Sequence, residues 1–219
     1  MSEDNIWFYV IKVTERNKLD VYSSGPHILS GTNIMKRTIL GTLLGLSLVT
    51  VSAATFADDW KFMPVLDAKY KPDATFSLVG GVLNGTPAGS GSYQGIEVAF
   101  NCLALQPPSG IIRSQISLGT FDHNGMKLTT FEINPHWTTS LANNLTFGVG
   151  PGVGYVKAEV NGQTTNMAAL QIGADLNYRV GTLNLGLGAR WQDTSNKDIA
   201  PGIHGANNTL MEAKVGINF

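Results

Sequence analysis

Through much of residues 75–219, apolar and polar residues alternate with a period of two, the spacing at which the side chains of a β-strand reach opposite faces. In 167–180, Ala168, Leu170, Ile172, Ala174, Leu176 and Tyr178 share one face, against Gln171, Gly173, Asp175, Asn177 and Arg179. In 183–192, Leu183, Leu185, Leu187, Ala189 and Trp191 oppose Asn184, Gly186, Gly188, Arg190 and Gln192. In 93–105, Ile96, Val98, Phe100 and Cys102 oppose Glu97 and Asn101. At the end of the chain Met211, Ala213, Val215, Ile217 and Phe219 oppose Leu210, Glu212, Lys214, Gly216 and Asn218. Residues 75–84 give no clear face. Eight segments read as strands: 75–84, 93–105, 110–121, 126–139, 145–159, 166–180, 182–193 and 209–219. No helical period competes with them.

The connections alternate in length. Gln106–Gly110, Leu141–Asn144 and the Gly181 turn are short, whereas 84–92, 160–165 and above all 194–208 are longer and rich in Gly, Asn, Ser and Thr. The 121–126 connection is tight although it falls on the long-loop side. This pattern predicts an all-β, eight-stranded antiparallel transmembrane up-and-down β-barrel, with lipid outside, a polar lumen and both termini on the short-turn side. A soluble β-sandwich or lipocalin-like barrel would alternate as well, with its apolar face inside. Charged residues at the inward positions weigh against it.

Upstream, Lys36 and Arg37 precede an apolar stretch from Ile39 to Val51, and Thr55-Phe56-Ala57 offers small residues for cleavage. This is the layout of a secretory signal over 35–57, too short in its apolar core for the ~20 residues of a spanning helix. Residues 1–34 show no sustained period and are expected to be a gene-model extension or disordered. The barrel is expected over 58–219.

That segment has 162 residues with ten Lys+Arg against twelve Asp+Glu, which leaves no basic field for nucleic acid. Mean hydropathy is close to zero (+0.04), as suits a chain whose every second strand residue faces a polar interior. The single cysteine, Cys102, has no internal partner and does not follow the signal, so no lipoprotein anchor is expected.

Collecting the inward charges gives Glu97, Glu132, Asp175 and Glu212 against Arg113, Arg179, Arg190 and Lys214. An eight-stranded barrel is filled by its own side chains, so these charges must pair within it. The first reading is a packed polar plug. The sharper one is a narrow gated path for ions. Trp137, Tyr178, Trp191 and Phe219 lie near strand ends, where aromatic girdles meet the bilayer surfaces.

The signal, the eight amphipathic strands, the glycine-rich Phe147–Tyr155 strand and the Val215-Gly-Ile-Asn-Phe219 ending together resemble the OmpA-like group of small outer-membrane barrels. The resemblance implies a bacterial outer-membrane location and a monomer in contact with lipid and lipopolysaccharide. It also implies Phe219 as the terminal signal read by the barrel-assembly machinery. It implies no cofactor, and members include adhesins, structural barrels, small-solute conduits and lipid A-modifying enzymes. The chain is similar in layout to lipid A 3-O-deacylases, whose next-to-last strand ends in His-x-Ser-Asn. Here Ser195-Asn196 is present, but Asp193 stands where the histidine should be, and a serine without an imidazole base lacks a proton acceptor. His204 lies beyond Pro201-Gly202. His136 reads as a satisfied lumen residue near Glu132 and Asn134, and His123 sits in a tight loop. No histidine pair has zinc-ligand spacing.

Pro135 and Pro151 fall close to opposite one another through the 141–144 turn, and neither has a ladder donor. A local bulge is one consequence; a lateral opening between lumen and bilayer is the other, and palmitoyl-transferring barrels resemble this in their proline-weakened pairing. The sequence thus predicts a non-enzymatic structural or surface-interaction barrel with outward loops at 84–92, 160–165 and 194–208. The alternatives are a small gated channel for ions or apolar solutes and a lipid A-modifying enzyme.

Overall fold

The computed structural model describes residues 60–219. The expectations for 1–34 and 35–57 lie outside the described residues. Eight strands close an antiparallel barrel: β1 (Thr75–Thr86), β2 (Gly89–Asn101), β3 (Ile111–His123), β4 (Met126–Ala142), β5 (Leu145–Val160), β6 (Gln163–Val180), β7 (Leu183–Thr194) and β8 (Asn208–Asn218). Each pairs with its sequence neighbour, and β8 closes on β1 with Thr209 opposite Asn84 and Asn218 opposite Thr75. The fold is a transmembrane up-and-down barrel. One rim carries the start of β1 and the end of β8, here the terminal rim; the other is the hairpin rim.

The alternation read along β6, β7 and β8 sets the faces. Leu170, Ile172, Leu187, Met211 and Val215 stand exposed on the outside, while Gln171, Asp175, Arg190 and Lys214 are buried inside. β1, which gave no clear face, buries Thr75, Ser77, Val79 and Leu83 and exposes Phe76, Leu78 and Val82.

Two expected outward loops do not exist. The 160–165 connection is a two-residue hairpin at Asn161-Gly162, with Val160 paired to Gln163. Both turn residues have positive φ (50° and 78°), the conformation for which Asn-Gly is the preferred dipeptide. Over 84–92 the strands continue to Thr86 and Gly89 around Pro87-Ala88. Asn124-Gly125 makes a third tight turn, so 194–208 alone remains long at the hairpin rim. It folds into a small ribbon, Asp198–Ala200 with Ile203–His204, and buries Ile199 and Ala206 over the barrel mouth.

At the terminal rim β2 stops at Asn101 instead of running to 105. Residues 102–110 are a longer connection in which Leu105–Gln106 pairs with Lys61–Phe62 ahead of the barrel. The Gln106 side chain clamps this connection to β3 by donating to the carbonyls of Cys102 and Ile112 and accepting from Ile112 N–H.

The strands continue past the apolar outer belt, and polarity reverses where they do. On β5 outward apolar residues run from Phe147 to Tyr155, and on β6 from Leu170 to Tyr178, close to the ~9–11 residues with which a tilted strand crosses a bilayer. Beyond Phe131 and Tyr155 the outer face turns polar: Thr129 pairs with Lys157, Lys127 with Glu159, and Asp122 with Lys127. Inside at that level sits an apolar cluster including Leu83, Tyr93, Phe121, Leu128, Val156, Met167 and Leu210. The barrel is therefore inside-polar within the belt and mostly inside-apolar above it, where Gln192, Thr194 and Asn208 are buried polar exceptions. The inward charges do not extend to the hairpin rim.

Candidate functional site

The interior of the belt is a layer of charged and amide side chains, and β5 makes its arrangement possible. Gly148, Gly150, Gly152 and Gly154 all face inward on that strand. With no side chains there, residues of β4 and β6 meet across it. A Cβ on Gly148 would stand 2.8 Å from Asp175 Oδ1, and one on Gly150 would stand 2.1 Å from the Pro135 carbonyl oxygen and 3.0 Å from the His136 ring.

Across this bare strip His136 Nδ1 bonds the Asp175 carboxylate, to which Gln115 Nε2 also donates at 3.0 Å. Asn177 donates to the other Asp175 oxygen. The partner of His136 is not Glu132 or Asn134, its neighbours along β4, but Asp175, two strands away. A second group joins Glu132 to Arg190, with Ser117 Oγ donating to Glu132 at 3.3 Å. The Arg190 guanidinium lies 5.8 Å from the centre of the Tyr93 ring. Tyr93 is the floor of the apolar cluster above. A third group sets Lys214 Nζ 2.5 Å from Glu97 and 3.0 Å from Glu212. All three are largely buried, and ions so placed require such partners.

Arg113 and Arg179 do not join these groups. Each holds one oxygen of Asp73 at 2.9 Å, and Asp73 belongs to the segment before β1. Arg113 also donates to Asn101 Oδ1 and Thr75 Oγ1. Asp73 takes a left-handed conformation, φ 45°, which Asp tolerates better than most residues. Burial pushes its carboxyl up, but Arg179 and Arg113 outweigh this and hold it below the ordinary carboxylate value. No periodic signal marks Asp73 along the chain, because it precedes the first strand. Beneath it lies a polar cavity of about 260 Å³ lined by Thr75, Glu97, Arg113, Asn144, Asp175 and Arg179 among others.

Pro135 and Pro151 meet at an interruption of the wall. The β4–β5 ladder runs from Met126/Val160 to Ile133/Val153, then resumes only at Trp137/Val149. Alternation from the turns at 124–125 and 161–162 makes Pro135 and Pro151 the pair that would exchange both N–H···O=C bonds. Both donors are missing. Each strand keeps its other neighbour, Pro135 opposite Ser114 and Pro151 opposite Ile172.

The residues of the enzyme reading are not assembled. Ser195 Oγ has no hydrogen-bond partner among the described residues, and His204 Nδ1 lies 2.5 Å from Asp198 Oδ1. His123 ends β3 opposite Met126. Phe219 continues the ladder, its N–H donating to the Ala74 carbonyl, with the ring exposed.

No family model matches the chain, and no curated protein matches it in sequence. Among solved structures it is similar to Neisserial surface protein A, at 11% identity over 67% of this chain and 96% of that one (TM-score 0.49). It is similar also to Ail, the attachment invasion locus protein of Yersinia pestis (10%, 68% and 100%, TM-score 0.45). A third is the N-terminal β-barrel domain of OprF from Pseudomonas aeruginosa (15%, 68% and 100%, TM-score 0.45). These are likenesses of fold among small eight-stranded outer-membrane barrels.

Proposed function

We propose that this chain is a monomeric, non-enzymatic barrel of a bacterial outer membrane that raises a rigid crown of strands above the bilayer for a structural or surface-interaction role. Its lumen is closed to ions, and both termini of the barrel face the periplasm. The observation that carries this reading is the reversal of polarity beyond Phe131 and Tyr155. An outward-polar, inward-apolar segment is built like a soluble protein, and a lipid-embedded one is built the other way. The crown, not mobile loops, is then the surface met by lipopolysaccharide and by partners outside, while Phe219 is the segment offered to the barrel-assembly machinery. Ion passage is disfavoured because apolar side chains and Ile199 fill the mouth above the charged layer.

The test uses single cysteines in a Cys102→Ser background. On intact cells Lys157→Cys should react with a membrane-impermeant maleimide, and Leu187→Cys should not. Planar bilayers holding the folded chain should stay silent. An unreactive Lys157→Cys or steady openings would each overturn the reading.

The interrupted ladder favours a second reading, a lateral opening at Pro135 and Pro151 between lumen and bilayer. Hydrogen exchange should be fast at Ile133, Trp137, Val149 and Val153, whose N–H groups point across the β4–β5 seam beside the gap, relative to Phe131 and Tyr155. Full protection there would remove it.

A further inference from the structure

The ribbon ahead of the barrel exposes more apolar surface than a segment in water would. Phe62 is 73% and Leu66 79% exposed, and Met63, Val65 and Leu103 are exposed beside them. The paired backbone keeps them together: Phe62 stands opposite Leu105, Met63 N–H donates to the Ala104 carbonyl, and Val65 N–H to that of Leu103. Scattered single apolar residues need no explanation, but a contiguous group does.

Two observations say what covers it. First, the patch continues the lipid-facing wall: the outward series Ile96, Val98 and Phe100 on β2 leads through Cys102, just past the strand, into Leu103. The Gln106 clamp holds this connection on the rim, so the patch cannot swing away from the barrel. Second, beside the patch lies a groove of about 770 Å³ lined by Lys61, Lys69, Lys71, Asn101, Gln106 and Ile111. Asp67 also borders it, with one oxygen accepting from Lys69 N–H, so three cations face one acid.

We infer that residues 61–71 and 103–106 form an interfacial foot that seats in the periplasmic leaflet of the same membrane, with the lysine groove taking the headgroup of an anionic phospholipid. Apolar side chains next to lysines are the composition of segments that lie in a bilayer interface: the chains enter the acyl boundary while ammonium groups stay at the phosphates. The foot would fix the depth of the barrel and keep the terminal rim pressed to the inner leaflet. This rests on the orientation proposed above, with the terminal rim in the periplasm.

The experiment places an environment-sensitive fluorophore on Val65→Cys, in a Cys102→Ser background, in the full chain folded into phosphatidylethanolamine vesicles with or without phosphatidylglycerol. Lipids brominated near the headgroup or deep in the chain serve as quenchers. A second label at Leu187→Cys reports insertion of the belt alone. The foot predicts that the Val65 label is quenched by shallow bromines more than by deep ones, and more strongly when phosphatidylglycerol is present. Replacing Lys61, Lys69 and Lys71 together with Gln should abolish the phosphatidylglycerol difference, and high salt should do the same. Phe62→Asp with Leu66→Asp should remove the quenching while the Leu187 label stays deep. If the Val65 label is reached only by aqueous iodide while the Leu187 label is quenched by lipid, the foot is overturned and the barrel reading stands. If the Leu187 label is not quenched either, the membrane reading itself fails. Quenching indifferent to phosphatidylglycerol would overturn the headgroup site.

Discussion

Four inward glycines on β5 decide which side chains can meet inside the barrel. His136 and Asp175 lie on strands that are not neighbours, and they touch only because nothing projects from Gly148 and Gly150. Gly150→Ala is expected to cost about 1–3 kcal/mol in urea unfolding, the usual range for overpacking a filled interior. Gly80→Ala on the open outer face of β1 should change stability by no more than about 0.5 kcal/mol, because no atom lies within 4 Å of its added methyl. The Glu132–Arg190 pair makes a second test. Arg190→Leu leaves a buried carboxylate without a cation and should cost about 3–5 kcal/mol, while adding Glu132→Leu should restore much of the loss. A double variant no more stable than Arg190→Leu alone would contradict the pairing.

Among the elements, the segment before β1 is held by one carboxylate between two guanidinium groups. Since the folded-state value of Asp73 is lowered, the unfolded chain binds more protons in the acid range and stability rises with pH there. The stabilisation is complete above the ordinary carboxylate value, ~3.9, and is lost as pH falls through the folded one. Limited proteolysis should therefore find the 61–73 segment protected at neutral pH and progressively cleaved below that value. Asp73→Asn should be cleaved at neutral pH with no such dependence; equal protection of both proteins would refute the clamp. The hairpins carry a different lesson. Asn161-Gly162 is a turn signal that outranks the polar composition around it, because the two positive φ angles suit that dipeptide and the strands need only backbone partners.

For the whole molecule, the crown and the belt are two regimes of one barrel. The belt is stabilised against lipid by its outer face and by paired ions within; the crown is stabilised against water by its apolar inside. The 194–208 connection closes the crown by burying Ile199 and Ala206. Ile199→Asp should make 194–208 the first site of proteolytic nicking while heat-modifiable gel migration of the barrel is unchanged. Loss of that migration would mean that the connection supports the belt as well.

Strand number, the lipid-facing side of β6, β7 and β8, and the inward position of every charge except Asp73 were legible in the sequence. A period of two on a barrel wall leaves a direct trace along the chain. The small polar residues of 84–92 form strand all the same, because beyond the apolar belt a strand needs backbone partners but no apolar positions on its outer face. Which charges pair was not legible either. His136 with Asp175, and Arg113 and Arg179 with Asp73, depend on the register of strands far apart in the chain and on the bare inner face of β5. Sequence sets which face a side chain takes; only barrel closure decides what it meets there.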